Sequence, residues 1–103
     1  METIDKAKLL AKFKLAIGDM TPGTELDDYY NEKLETAQAM LAANDISDIV
    51  LASELGMCAI VLQAQVLMKG ENIAENKTLQ LLRNTLSVQT KGERYGGDDA
   101  DGT

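Results

Sequence analysis

The sequence of 103 residues has no histidine and no tryptophan, a single cysteine, a single proline and a single phenylalanine. Without histidine there is no His-based acid–base catalysis, no Ser-His or Cys-His nucleophile pair and no His-ligated metal. One cysteine excludes an intramolecular disulfide and a Cys-cluster zinc site. Aromatic residues make up only 4% of the chain against 45% hydrophobic residues, so the core must come from Leu, Ile, Val, Ala and Met. That palette suits packed helices better than sheets. Basic residues are also in deficit, 10 against 17 acidic ones, for a formal net charge of −7. Such a balance argues against an electrostatic grip on nucleic acid or an anionic membrane. No enzymatic activity and no cofactor are expected.

The length fits one domain, which buries only about two-thirds of its unfolded surface. From Met1 to Ile17, lysines alternate with apolar residues, which is not the basic stub and apolar run of a leader. The chain is therefore expected to be intracellular when made.

Periodicity predicts four helices, near 5–17, 24–43, 48–68 and 76–88. In the first, Leu9, Leu10, Phe13 and Ile17 share one side and Gly18 follows as a stop. Pro22-Gly23 marks a turn, and Thr24 is a suitable N-cap with Glu25, Asp27 and Asp28 in the first turn of the second helix. Leu26, Tyr30, Leu34, Ala37 and Leu41 form its apolar stripe, widened by Tyr29 and Met40. Tyr29 falls either at the edge of the core or in a contact with another chain. Ser47 can cap the third helix. From Ile49 to Met68 only Glu54 is charged, long enough to span a bilayer. A charge near the centre of a membrane helix costs roughly 2.5–3.5 kcal/mol, and Gln63 and Gln65 add to the burden, so a buried central helix is the reading adopted. A helix apolar all round must be surrounded. Cys58 and Leu62 are accordingly expected to be enclosed, the thiol inert, while Ala52, Gly56 and Ala59 let neighbours approach. Asn72 or Asn76 caps the last helix, with Leu79, Leu82 and Leu86 as its stripe. Residues 91–103, rich in Gly and Asp, have almost nothing to bury. The expected division is a helical domain over 1–90 and a disordered acidic tail over 91–103.

Asp28, Glu32 and Glu35 recur at i, i+4 and i+7 on one face. They form either a solvated helix face or a functional site, a cation site or a paired-carboxylate acid–base site, with an electrostatic role favoured over chemistry; with no histidine, a two-metal site of the Glu-x-x-His kind lacks its ligands. Charge is uneven along the chain. Residues 18–45 carry seven acids against Lys33, whereas residues 75–91 carry Lys77, Arg83 and Lys91 against Glu75. Such polarity suits head-to-tail contact between copies.

Four segments together resemble the head–tail connector (adaptor, or head-completion) proteins of long-tailed bacteriophages. They are Lys6-Ala-Lys-Leu-Leu-Ala-Lys-Phe13; Leu26-Asp-Asp-Tyr-Tyr30 leading to Met40-Leu-Ala-Ala-Asn-Asp-Ile46; Glu54-Leu-Gly-Met-Cys-Ala-Ile-Val-Leu62 ending in Met68-Lys-Gly70; and Leu79-Gln-Leu-Leu-Arg-Asn-Thr-Leu-Ser87 before a polar tail. The resemblance implies an all-α subunit without catalytic activity that forms a ring, usually of twelve. The ring sits beneath the portal protein, contacts a tail-side completion protein, lets DNA pass without specific binding and has no membrane role. It implies a virion component, assembled in the host cytoplasm. Within that frame the Asp28-Glu32-Glu35 face is the candidate channel lining, and Lys91, Arg94 and Tyr95 are candidate portal contacts, Tyr and Arg being favoured at contact centres. The alternative is a small acidic helical module, a regulator or chaperone that holds one partner.

Overall fold

A computed structural model describes residues 4–19 and 25–102, and the side chains of all of these except 94–102. The fold is all-α. Helix α1 (Lys6–Ile17) begins at Asp5, whose carboxylate accepts the Lys8 backbone N–H at 3.1 Å, and stops at Gly18, which takes φ +78°. The N–H groups of Gly18 and Asp19 then bond back to Leu15 and Lys14 carbonyls, closing the helix end as glycine permits. Leu9 and Phe13 are its buried residues.

Helix α2 (Asp27–Ala43) buries Tyr30, Leu34, Ala37 and Leu41 of the predicted stripe; Leu26, expected to belong to it, precedes the helix and is 53% accessible. Its N-cap is Leu26, which makes no side-chain capping bond. The expected cap, Thr24, lies outside the described residues. Tyr29 stands at the exposed edge, 43% accessible, under the Lys33 ammonium 5.4 Å from its ring centre.

The predicted single helix over 48–68 is two. A short α3 (Asp48–Leu51) is followed by α4 (Glu54–Lys69). Ser53 makes the break. Its hydroxyl donates to the Val50 carbonyl and accepts the Gly56 N–H at 3.0 Å, so it ends one helix and caps the next. The interruption also means that, among the described residues, no helix is long and apolar enough to cross a membrane.

Helix α4 holds the central position, with α1, α2, α3, α5 and a 3₁₀ turn (Ile73–Glu75) all packed on it. It buries Gly56, Met57, Ala59, Ile60, Val61, Gln63, Ala64 and Val66. It is nonetheless not enclosed all round. Cys58 is exposed, which corrects the expected buried thiol, and Leu62 is only half-buried. The apolar sequence neighbours of Cys58 mislead because each residue turns 100° about the helix axis. Cys58 lies one turn after exposed Glu54, on the same side. Cys58 is therefore expected to react fully with a thiol reagent such as a maleimide in the native protein, at the rate of an exposed cysteine, as read by mass spectrometry. Protection until denaturant is added would contradict this packing.

Asn72 and Asn76 both serve as caps. Asn72 accepts the Ala74 N–H at 3.0 Å to open the 3₁₀ turn, and Asn76 accepts the Leu79 N–H at 2.8 Å to open α5. Helix α5 (Lys77–Gly102) turns Leu79, Leu86 and Thr90 inward. It passes the expected end at 88 because its next turns are anchored. The Ser47 N–H donates to the Thr90 hydroxyl at 3.1 Å, and the Ser47 hydroxyl donates to Glu93. These bonds tie Thr90 and Glu93 across the expected 90/91 boundary to the start of α3.

Candidate functional site

Helices α1 and α2 are held together at one end by aromatic packing and charge. The Phe13 and Tyr30 rings lie 5.3 Å apart, and the Tyr30 hydroxyl donates to Asp19 at 2.7 Å. That hydrogen bond raises the Tyr30 phenol above its usual 10, because the proton it holds is engaged. Lys14 bridges Asp27 at 2.9 Å, with both side chains mostly buried.

Beside that contact the two helices border an open groove of about 350 Å³. Its walls are Lys6, Ala7 and Leu10 on α1 and Asp28, Asn31, Glu32 and Glu35 on α2. The three carboxylates singled out by spacing thus line one surface feature, as i, i+4 and i+7 positions on a helix should. Lys6 reaches Glu35 at 3.6 Å, both ends exposed. Such a pair contributes little to stability. Asp28 and Glu32 make no ion pair among the described residues, where no cluster of potential metal ligands occurs either. The groove is acidic and open, its three carboxylates exposed, which suits an electrostatic role.

The sequence missed what Lys8 and Lys12 do. They converge on Glu54, at 2.7 and 3.0 Å, and tie α1 to the first turn of α4. They are therefore not a free basic face for a neighbour. Only the spacing of Lys8 and Lys12, one turn apart, hinted at a shared partner; the identity of that partner, 42 to 46 residues away, required the fold. The hydrogen bond from Lys8, then that from Lys12, and the charges of both pull the Glu54 carboxyl from 4.5 down to about 2. Its position in the first turn of α4 favours the anion as well. A carboxyl depressed in the folded state adds stability above its unfolded value, and that contribution is lost as pH falls through the folded one. In urea melts, Glu54→Gln is expected to be less stable than the native chain at pH 6, with the gap closing between pH 4.5 and 2. A gap constant with pH would mean the pair contributes nothing through charge.

Lys91 is exposed on α5. Arg94 and Tyr95 belong to the same helix, and their side chains lie outside those described. A smaller polar cleft of about 160 Å³ separates the end of α2 from α5, lined by Asn44, Ile46, Gln80, Arg83, Asn84 and Ser87. No protein-family model, curated protein or solved structure matches the chain.

Proposed function

We propose that this chain is a structural assembly subunit, a head–tail connector of a long-tailed bacteriophage that forms a ring beneath the portal. The observation that carries the reading is the order of the four resembling segments. They coincide with α1, with α2 and the turn after it, with α4 and its glycine stop, and with the first turns of α5. Segregated surface charge and the small all-α fold agree with it.

In such a ring the Asp28-Glu32-Glu35 face looks toward the channel. Carboxylates repel the duplex and keep it centred, whereas lysines would hold phosphate through counterion release. Repetition around the ring turns a weak surface field into one that acts within about 8–10 Å, the Debye length at ordinary salt.

The test is electron microscopy and sedimentation of the full chain mixed with the portal protein encoded in the same genome. Rings seated on portal are the expected result, and absence of any affinity for portal overturns the reading. A one-to-one complex with a different protein and no ring would favour the small acidic binding module instead. If a ring map puts the three carboxylates on the outer wall, the channel role fails while the connector assignment survives.

A further inference from the structure

The ion pairs divide the charges into those engaged within the fold and those left to solvent. Lys6, Lys8, Lys12 and Lys14 all pair internally, with Glu35, Glu54, Glu54 and Asp27. Among the other charges, the start of α2 is mainly acidic, with Lys33 beside it, and α5 from Lys77 to Lys91 is basic. At the start of α2, Glu25 and Glu32 are exposed and make no ion pair among the described residues. On α5, Lys77, Arg83 and Lys91 make none either, and no acid lies between Lys77 and Lys91.

Both regions also expose large apolar side chains. On α5, Leu81 is 67% and Val88 68% accessible. With Thr85 they fall at i, i+4 and i+7, a single stripe opposite the inward Leu79, Leu86 and Thr90. Lys77, one turn before Leu81, and Lys91, one turn after Val88, frame it. At the start of α2, Leu26 and Tyr29 are 53% and 43% accessible. Glu32 follows Tyr29 at i+3 and Glu25 lies in the turn just before the helix, so the acids outnumber the one cation there, Lys33, whose ammonium lies 5.4 Å from the Tyr29 ring centre. Tyr29 is turned about 100° from Asp28, and Glu32, which also lines the groove, stands on the border between the groove and this flank. Helix α4 lies between α2 and α5, so one copy cannot bring the start of its α2 onto the outer side of its own α5.

We propose that the outer stripe of α5, Leu81 and Val88 framed by Lys77 and Lys91, docks against Leu26 and Tyr29, flanked by Glu25 and Glu32, at the start of α2 in a second copy of this chain. The proposal rests on the self-assembling reading above and names the surfaces that meet. Two different patches on each copy make the contact heterologous, the kind that closes into rings when the rotation permits. Opposite charges fix its register and suppress the reversed pairing. The area is small. From Lys77 to Lys91 the stripe runs about 21 Å, so one helix face covers on the order of 200 Å² per copy. Stable pairs bury about 800 Å² per partner. Two free copies therefore meet only transiently, and ring closure or a template holding copies side by side is needed for a lasting contact.

Covalent trapping reads such a contact directly. In a Cys58→Ser background, Leu81→Cys protein is mixed with Tyr29→Cys protein at low salt and treated with a short bis-maleimide. A 29–81 dimer is expected, well ahead of the 49–81 dimer formed with Ile49→Cys, whose parent residue is comparably exposed at 50%. The yield should fall roughly tenfold when Lys77→Glu and Lys91→Glu are added to the Leu81→Cys chain, the effect of losing two screened rim pairs. It should recover when the Tyr29→Cys partner carries Glu25→Lys and Glu32→Lys. Equal 29–81 and 49–81 yields, or no response to the charge reversal, overturn the proposal. Portal binding by the same proteins separates the two readings. Portal-bound rings without the 29–81 link leave the connector standing and this contact wrong; the link without portal binding does the reverse.

Discussion

Gly56→Ala is expected to destabilise the domain by about 3 kcal/mol or more, although alanine is the better helix former by about 1 kcal/mol. A Cβ at Gly56 would stand 2.2 Å from the Val50 carbonyl oxygen and 2.5 Å from that of Leu51. Both obstacles are backbone, so no rotamer change relieves them. The chain folds α3 back over the first turn of α4, and only a hydrogen fits between. The clash must push α3 away, and with it the buried Val50 and Leu51. At about 4–8 °C per kcal/mol for a domain of this size, the melting temperature should fall by at least about 12 °C. Gly92→Ala is the matched control. A Cβ there meets nothing within 4 Å, so the same substitution in α5 should leave stability unchanged or raise it by up to about 1 kcal/mol. Equal melting temperatures for the two variants would show that the approach of α3 to α4 is looser than described.

Ile60→Asp should leave the chain unfolded at neutral pH. Ile60 has no exposed surface and lies near the middle of α4, the helix on which all the others pack. The substitution removes roughly 1.5–3 kcal/mol of apolar burial and buries a carboxylate, at several kcal/mol for an unpaired ion. Together these reach the whole stability of a typical domain, about 5–15 kcal/mol. Two residues on, Leu62→Asp should be milder, because Leu62 is only half-buried and its replacement can reach water. Circular dichroism at 25 °C is expected to show a random-coil spectrum for Ile60→Asp and a helical one with a lowered melting temperature for Leu62→Asp. The opposite ranking would mean that α4 is rotated about its axis.

Several features were legible from residue types alone because they are local. The stripe Tyr30, Leu34, Ala37 and Leu41 follows from a 3.6-residue period, and so does the shared face of Asp28, Glu32 and Glu35. Gly18 and Gly70 were readable stops, since a positive φ at a helix end favours glycine. The dominance of α4 was legible too, as the longest apolar stretch in an otherwise polar chain.

Other features depended on partners distant in sequence. The Ser53 break hid inside an apolar run, because a serine there reads equally as a tolerated helix residue; it becomes a cap only when α3 folds back across Gly56. Lys8 and Lys12 share a carboxylate, Glu54, that only the fold brings between them. Periodicity ends the last helix at 88, because the bonds that hold its next turns come from Ser47, more than 40 residues earlier. Cys58 looked buried because its neighbours in sequence are, and which side of α4 is left uncovered depends on how the other helices are arranged around it. Periodicity, end signals and net charge are properties of short stretches and were fixed by the sequence. Which lysine meets which carboxylate, and which apolar side chains remain for another copy to cover, was decided only when the helices packed.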